Sequence, residues 1–211
     1  MDREKISLEE IEEKNLLSKY SPLYLLAKEL GLKYLIKEGD SFTGPAVGLA
    51  ILVDKITRNL SIQTMLDLCS GTGALAKIAL LNGVKKVTCL DLDLKAAREN
   101  LKEFEEKVEF IELSIFKFKP KKFYDLIVLD APRDLLERLL KEFIPHLKRI
   151  CNLFVMWHGN SDEEDLNAWI REKLRKNFPK LIEIACYGEE MSCCSSTQKG
   201  KEWIDKLFKI W

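Results

Sequence analysis

Two hydrophobic patterns divide the chain near residue 60. Before that point, apolar residues recur at helical spacing between turn signals, whereas after it continuous apolar runs alternate with helical patterns. Continuous apolar runs are typical of strands in a parallel sheet that is covered on both faces. The strands predicted in this way are TMLDLC, KVTCLDLD, VEFIEL, YDLIVLDAP, NLFVMWH and LIEIACYG. Between them we expect helices ending near Asn82 and Glu105, and helices over Arg133–His146 and Asp162–Asn177.

The region before residue 60 predicts helices. A capping box over Ser7–Glu10 precedes an amphipathic run that continues to about Tyr20. Ser21–Pro22 begins a second helix, because proline is favoured in the first helical position, and Gly31 ends it. A short helical piece reaching Lys37 is expected next.

A third helix is expected over about residues 45–59, where the main domain begins. The predicted organisation is therefore an N-terminal helical segment, residues 1–44, and an α/β domain, residues 45–211. The tail KEWIDKLFKIW fits a helix or a strand, and we favour a strand that pairs with LIEIACYG. We expect EEMSCCSSTQKGK, which precedes the tail, to be a mobile loop. The fold class is thus a three-layer α/β sandwich with a mostly parallel seven-stranded sheet and an N-terminal helical segment.

Composition narrows the class of protein. The chain has 211 residues, is 46% hydrophobic and carries 34 basic and 34 acidic residues, which favours one globular domain and no particular class of partner. No apolar run approaches the roughly 18 residues needed to cross a bilayer, and the start MDREKISLEE is too charged for a signal peptide. We therefore expect a cytoplasmic protein with no membrane association. The cysteines show no Cys-x-x-Cys spacing, so no metal site is predicted, and the oligomeric state stays open.

A glycine-bearing turn is the strongest chemical signal. In LDLCSGTGALAKIALL, Gly71 and Gly73 stand between an apolar strand and an apolar helix. This arrangement fits both a dinucleotide site and a methyl-donor site. Asp91 ends the next strand, where a carboxylate would accept hydrogen bonds from ribose hydroxyls in either case.

Asp67, inside the strand that leads into this turn, separates the two possibilities. A dinucleotide places its pyrophosphate on the turn, and two like charges about 4 Å apart cost roughly 4 kcal/mol at an effective dielectric of 20. S-adenosylmethionine has no phosphate but carries a sulfonium and an ammonium group, which a nearby carboxylate suits. The glycines would then let the backbone approach the ligand closely.

The stretches MLDLCSGTGALAKIAL and VTCLDLDLKAAREN resemble the first two motifs of the class I S-adenosylmethionine-dependent methyltransferases, and the resemblance covers about residues 42–160. It implies a Rossmann-like fold with S-adenosylmethionine as the cofactor. In the family pattern the turn lines the methionine end, Asp91 holds the ribose, and Leu92 and Ile115 pack on the adenine. Ser114 stands where the family often has an acidic residue for the adenine amino group. The cofactor-binding residues implied are Asp67, Cys69, Gly71, Gly73, Asp91, Leu92, Ser114 and Ile115.

The stretch VLDAPRD, after the fourth strand, points to the methyl acceptor. Asp130-Ala-Pro132 resembles the Asp/Asn-Pro-Pro-aromatic motif of enzymes that methylate planar nitrogens, although Arg133 replaces the aromatic residue. Asp130 would orient or deprotonate an amine, and its alternative role is to cap the following helix. Carbon methylation of a pyrimidine would need a cysteine nucleophile, and Cys151 begins the next strand instead of ending it. We therefore assign Asp130 and Pro132 to catalysis and Arg133 to substrate contact.

Two further candidates come from strand-end and loop positions. His158, at the end of the fifth strand, is a candidate general base at the rim of the site, or a loop histidine without a role. Phe42 and Thr43 belong to SFTGPAVGLA, which distantly resembles the Phe-Gly-Thr-Gly stretch of ribosomal-protein methyltransferases. We expect them to close over the site as substrate contacts.

These observations predict an S-adenosylmethionine-dependent methyltransferase that acts on a nitrogen of a macromolecule, RNA or protein. Two alternatives stay open. One is a small-molecule methyltransferase that uses its N-terminal helices as a lid. The other is a module that holds the cofactor without an activity of its own.

Overall fold

A computed structural model describes residues 3–38, 41–160 and 162–210. The strands are β1 (Arg3–Ser7), β2 (Tyr34–Glu38), β3 (Ser41–Thr43), β4 (Thr64–Leu68), β5 (Lys86–Asp91), β6 (Val108–Glu112), β7 (Tyr124–Leu129), β8 (Cys151–Asn160), β9 (Lys180–Cys186) and β10 (Glu189–Ser195). The helices are α1 (Leu8–Glu13), α2 (Pro22–Glu29), α3 (Val47–Asn59), α4 (Ala74–Leu81), α5 (Lys95–Asn100), α6 (Leu136–Arg138), α7 (Ile144–Leu147), α8 (Glu164–Asn177) and α9 (Gln198–Ile210). Among the described helices, none is long and apolar enough to cross a membrane.

The main sheet has seven strands in the order β6-β5-β4-β7-β8-β10-β9. β4 pairs in parallel with β5 and β7, and the parallel pairing continues to β6 on one side and β8 on the other. β10 is antiparallel to both of its neighbours, β8 and β9. The prediction of a mostly parallel seven-stranded sheet is therefore confirmed.

Alternate residues of the central strands feed two hydrophobic cores, one on each face of the sheet. Leu126 and Val128 of β7 pack into the core beneath α3, α4 and α9. Ile127 and Leu129 of the same strand pack into the core beneath α6, α7 and α8. This alternation explains why each strand is apolar along its whole length, and it produces the three layers of the sandwich.

The position of the seventh strand differs from the prediction. The tail expected to be a strand is α9, with Ile204 and Leu207 buried on one side, and Trp211 lies outside the described residues. The seventh strand is β10, which lies within the stretch expected to be a mobile loop. Its small side chains, including Cys193 and Cys194, are fully buried because β10 lies between two other strands and under helices.

The N-terminal region confirms the predicted cap at Ser7 and the predicted start of the second helix at Ser21–Pro22. The Ser7 side chain accepts a hydrogen bond from the Glu10 amide (3.1 Å), and the Ser21 side chain accepts one from the Tyr24 amide (3.2 Å). α1 is shorter than expected and ends at Glu13 instead of near Tyr20.

The prediction of a short helix reaching Lys37 is wrong, because those residues form β2. β2 pairs with β1 and β3 in an antiparallel three-stranded sheet, so the region is a mixed α/β unit and not purely helical. The pairing of Ile6 with Leu35 decides the conformation, since both side chains become buried beside the helices of the unit.

Asn100, the last residue of α5, attaches this N-terminal sheet to the main domain. Its side-chain oxygen accepts hydrogen bonds from the amides of Lys33 (2.8 Å) and Tyr34 (3.0 Å), and its nitrogen donates to the carbonyls of Tyr34 and Thr72 (2.9 Å each). The sheet is thereby held beside the glycine turn. A domain boundary between residues 44 and 45 stays a prediction.

The helical stretch expected over Arg133–His146 is irregular. It begins with a 3₁₀ turn at Arg133–Leu135, continues through α6, and includes a π turn at Leu139–Phe143 before α7. Pro145 lies in the first turn of α7 and lacks the amide proton that would continue the earlier hydrogen-bond pattern.

Candidate active site

A cavity of about 430 Å³ lies at the carboxyl ends of β4, β5 and β7. This is where ligands bind in open parallel sheets. The glycine turn and Asp91 form one wall, and the loop after β7 forms another. The N-terminal sheet and the start of α3 close the cavity from above, with Ile36, Glu38 and Thr43 among its lining residues.

The glycine turn has the backbone geometry that glycine permits most easily. Gly71 (φ 51°) and Gly73 (φ 75°) are both in the left-handed region. Gly71 lines the cavity, and a side chain there would project towards it. Gly73 has a different role, because a Cβ atom at this position would lie 2.9 Å from Leu101 Cδ1 and 3.1 Å from Ala97 Cβ. Gly73 therefore lets α4 begin close against α5 and does not itself line the cavity.

Asp91 is held by two backbone amides, one from the glycine turn and one from the residue that follows it. Its Oδ2 accepts a hydrogen bond from the Gly71 amide (2.8 Å) and its Oδ1 accepts one from the Leu92 amide (2.6 Å). Arg3 of β1 donates to the same Oδ1 at 2.8 Å and pairs with Glu38 at 2.6 Å. The carboxylate expected to hold a ribose thus has a cationic partner from the N-terminal sheet.

Asp67 lies behind the turn and does not line the cavity. It is 1% exposed, and its Oδ2 is buried without a hydrogen-bond partner among the described residues. Burial raises the pKa of this carboxyl well above its ordinary value, and the negative charge of Asp130 raises it further. An ionised carboxylate is costly where it is buried without a donor, which is the cause of this shift.

Asp130 follows β7 and is half-buried in the cavity wall. Its Oδ2 accepts a hydrogen bond from the amide of Ala46 (3.0 Å), which precedes α3. Burial raises the pKa of Asp130 to about 6, and the nearby charge of Glu189 acts in the same direction. The second predicted role of Asp130, as a cap of the helix that follows it, is not the one observed, since it caps α3 instead.

Glu189, the first residue of β10, shares the start of α3 with Asp130. Its two oxygens accept hydrogen bonds from the amides of Val47 (3.1 Å) and Gly48 (2.8 Å). Burial raises the pKa of Glu189 as well. Ala46 offers no side-chain cap to α3, so these two distant carboxylates supply the cap.

Pro132, Arg133 and Trp157 complete the acceptor side of the cavity. Arg133 is exposed and forms an ion pair with Glu163. The indole Nε1 of Trp157 is buried and has no hydrogen-bond partner among the described residues. Trp157 therefore lines the cavity and carries a buried N–H without a partner among the described residues.

The structure brings about half of the predicted site residues together. Those that line the cavity are Thr43, Cys69, Gly71, Asp91, Asp130, Pro132 and Arg133. Those that do not are Phe42, Asp67, Gly73, Leu92, Ser114, Ile115 and His158. Leu92 is 70% exposed, Ile115 belongs to the core on one face of the sheet, and Phe42 packs against the N-terminal core.

His158 is not at the rim of the cavity, contrary to expectation. It is fully buried, its Nδ1 donates to Asn167 Oδ1 (3.0 Å), and its Nε2 accepts from the Ser192 hydroxyl (3.1 Å). Burial lowers its pKa, which keeps the ring neutral. With both nitrogens engaged, His158 ties β8 to α8 and β10 and has no position from which to act on a ligand.

Sequence reasoning missed several cavity residues, namely Arg3, Ile36, Glu38, Trp157 and Glu189. Trp157 adjoins His158 at the end of a predicted strand, and that position could have indicated its place in the site. Glu189 lies in the stretch expected to be a loop, and Arg3 belongs to a region expected to be helical. Neither had a local pattern that could indicate its place.

Comparison with known proteins decides the family. The sequence model of the methyltransferase small domain matches residues 41–176, which is more than half of the chain. The chain belongs to this methyltransferase family. The resemblance noted in the glycine-turn motifs is thereby confirmed, and so is the expectation that the cofactor is S-adenosylmethionine.

Individual relatives share part of the chain. A ribosomal protein L11 methyltransferase of Aquifex aeolicus is 31% identical over 110 residues, which are 51% of this chain and 42% of that protein. The chain thus aligns with less than half of that relative's length. A ribosomal protein L11 methylase of Lactobacillus delbrueckii subsp. bulgaricus has a TM-score of 0.57 at 21% identity, covering 71% of this chain and 77% of the other. An rRNA methylase of Escherichia coli has a TM-score of 0.57 at 18% identity, covering 71% and 63%. The two structural likenesses concern the fold.

Proposed function

We propose that this protein is an S-adenosylmethionine-dependent methyltransferase that acts on a nitrogen of a macromolecule. One observation carries the proposal. A single cavity contains a glycine turn bonded to Asp91 at one end and a half-buried carboxylate, Asp130, at the other. A ligand bound along the turn would place its reactive end beside Asp130. The family match supports the same conclusion.

Residues of the turn would hold the cofactor. Gly71 allows the ligand close to the backbone, and Asp91 is the acceptor for the ribose hydroxyls. Asp67 lies behind the turn and outside the cavity, so we do not assign it a direct contact with the ligand. Cys69 also lines the cavity, and burial raises its thiol pKa to about 12, so it contributes shape and not a thiolate.

Asp130 is the residue we assign to the acceptor. When bound, S-adenosylmethionine supplies an electrophilic methyl group. Asp130 Oδ2 is taken by the Ala46 amide, which leaves Oδ1 to accept a hydrogen bond or a proton from an acceptor amine. The pKa of about 6 keeps this carboxyl ionised at neutral pH while making it a stronger base than an ordinary aspartate. Pro132 shapes the loop beside it, and Arg133 lies at the outer rim, where a macromolecule would arrive.

Calorimetry tests the cofactor assignment. S-adenosylmethionine and S-adenosylhomocysteine should bind and NADH should not. Asp91→Ala should lower the affinity for both sulfur nucleosides at least about tenfold, which corresponds to about 1.4 kcal/mol of binding free energy. Asp93→Ala is the matched control, because Asp93 lies two residues away and its side chain accepts a hydrogen bond from the Lys95 amide outside this cavity. Binding of NADH in place of the sulfur nucleosides would overturn the proposal.

Radiolabelled methyl donor tests the acceptor. Incubation with RNA and protein fractions, followed by ribonuclease or protease digestion, separates the two macromolecular substrates. Label appearing only in small molecules would favour the small-molecule alternative. If the native protein binds the cofactor but transfers no methyl group, and Asp130→Ala binds the cofactor equally well, the cofactor-holding module would be favoured. A cytoplasmic location stays a prediction that fractionation of cells would test.

A further inference from the structure

Two carboxylates from distant parts of the chain meet at the acceptor end of the cavity. Asp130 follows β7 and Glu189 begins β10, yet consecutive amides at the start of α3 donate to both. The Ala46 amide bonds Asp130, and the next two amides bond Glu189. Each carboxylate oxygen has two lone pairs, so both residues keep acceptor positions beyond the helix cap.

The positive groups around this pair do not neutralise it. Arg3 is engaged by Asp91 and Glu38, and Arg133 is engaged by Glu163. Neither Asp130 nor Glu189 forms an ion pair within the part of the chain that the structure describes. The start of α3 contributes about half of a positive charge, which is less than the two negative charges it faces.

The surplus negative charge favours a cation and disfavours a phosphate. A phosphate close to two carboxylates would meet repulsion, whereas an ammonium group would gain two hydrogen-bonded ion pairs. Trp157 also lines the cavity, and an aromatic ring attracts a cation and not a phosphate.

We propose that Asp130 and Glu189 together bind the acceptor nitrogen as an ammonium ion, so that the acceptor is an aliphatic amine of a protein, with Glu189 the specificity-determining residue. Before transfer the ammonium would give one proton to Asp130 Oδ1, because only the neutral amine has the lone pair that forms the new bond to the methyl carbon. The bond between that carbon and sulfur would break, and S-adenosylhomocysteine would leave. The inference rests on the proposed function, because it concerns the acceptor of that reaction. Glu189 lies outside residues 41–176, which the family model matches, so its role is a property of this chain's own last strands.

A binding experiment tests the inference with small probes. Protein saturated with S-adenosylhomocysteine is titrated with n-butylammonium, with 1-butanol as a neutral analogue and with cytidine monophosphate as a nucleotide. The shift of the Trp157 indole N–H in ¹H–¹⁵N spectra reports occupancy. We expect n-butylammonium to bind at least about tenfold more tightly than either of the other two.

Glu189→Gln is the decisive variant because it removes the charge and keeps the size. It should lower the affinity for n-butylammonium at least about tenfold, while the affinity for S-adenosylhomocysteine changes by less than about twofold. Glu190→Gln is the control, since it makes the same change one residue along β10, where Glu190 pairs with Arg171. Asp130→Asn should weaken the amine in the same way and serves as the second variant if Glu189→Gln does not fold.

The outcomes separate this inference from the proposed function. Failure of S-adenosylhomocysteine to bind the native protein overturns both. Its binding together with a preference for cytidine monophosphate overturns the inference alone and points to RNA. A parallel loss of thermal stability, nucleoside affinity and amine affinity in Glu189→Gln would mean that Glu189 only caps α3, which also overturns it.

Discussion

The ionisation of Asp130 should make cofactor affinity depend on pH. Desolvation raises the pKa of this half-buried carboxyl to about 6. S-adenosylmethionine carries a positive sulfonium, and S-adenosylhomocysteine carries a neutral thioether in its place. If the sulfonium lies beside Asp130, the ionised carboxylate binds S-adenosylmethionine more tightly than the protonated acid does. The gain is present above the pKa of Asp130 and is lost as the pH falls through it.

The magnitude follows from the fraction ionised. With a pKa of about 6, roughly nine-tenths of Asp130 is ionised at pH 7 and roughly one-tenth at pH 5. The affinity for S-adenosylmethionine should therefore fall about tenfold between these pH values, which is about 1.4 kcal/mol. S-adenosylhomocysteine should lose markedly less, because it has no charge on sulfur.

Calorimetry at several pH values, with both ligands and in buffers of different ionisation enthalpy, measures the affinity and the protons released. Asp130→Asn is the matched variant, and it should remove the difference in pH dependence between the two ligands. The reasoning is refuted if native protein loses affinity for both ligands in parallel, since the titrating group would then act on something other than the sulfonium.

Two further changes have defined outcomes. Arg3→Met should strengthen S-adenosylmethionine binding severalfold in calorimetry, because ribose hydroxyls would no longer compete with the Arg3 guanidinium for Asp91. Lys5→Met on the same strand is the control. Weaker binding by Arg3→Met would instead make Arg3 a ligand contact. Gly200→Ala should lower the free energy of unfolding by about 3 kcal/mol in urea denaturation, because the new Cβ atom would lie 1.9 Å from a β8 carbonyl oxygen. Lys201→Ala is its control, and an equal effect of both substitutions would contradict the packing argument.

The tail and β10 are the segments whose sequence patterns did not predict their structure. The tail contains apolar residues that fit either a helix or a strand, and it forms α9, which approaches β8 closely at Gly200. β10 lacks the long apolar run of the other strands. Its cysteines and serines become buried only because β8 and β9 leave a space between them that an antiparallel strand fills.

The candidate site divides in the same way. Asp91, Gly71 and Asp130 each follow an apolar strand, and the ends of parallel strands must meet at one edge of the sheet, so their proximity could be predicted. The expected adenine contacts Leu92 and Ser114 do not line the cavity. No local pattern indicated that Arg3 of the N-terminal sheet would bond Asp91.

The amino-acid sequence by itself determined the parallel sheet, the glycine turn and the family, because these depend on strand-length hydrophobic runs and on residues close together in the chain. Only the tertiary structure decided the N-terminal sheet, the seventh strand and the pairing of Glu189 with Asp130 around α3. Those features depend on contacts across long separations, such as 88 residues between Arg3 and Asp91 and 141 between Gly48 and Glu189. A hydrogen bond between such distant residues leaves no periodic signal in the chain, and it forms only after the core has brought the elements together.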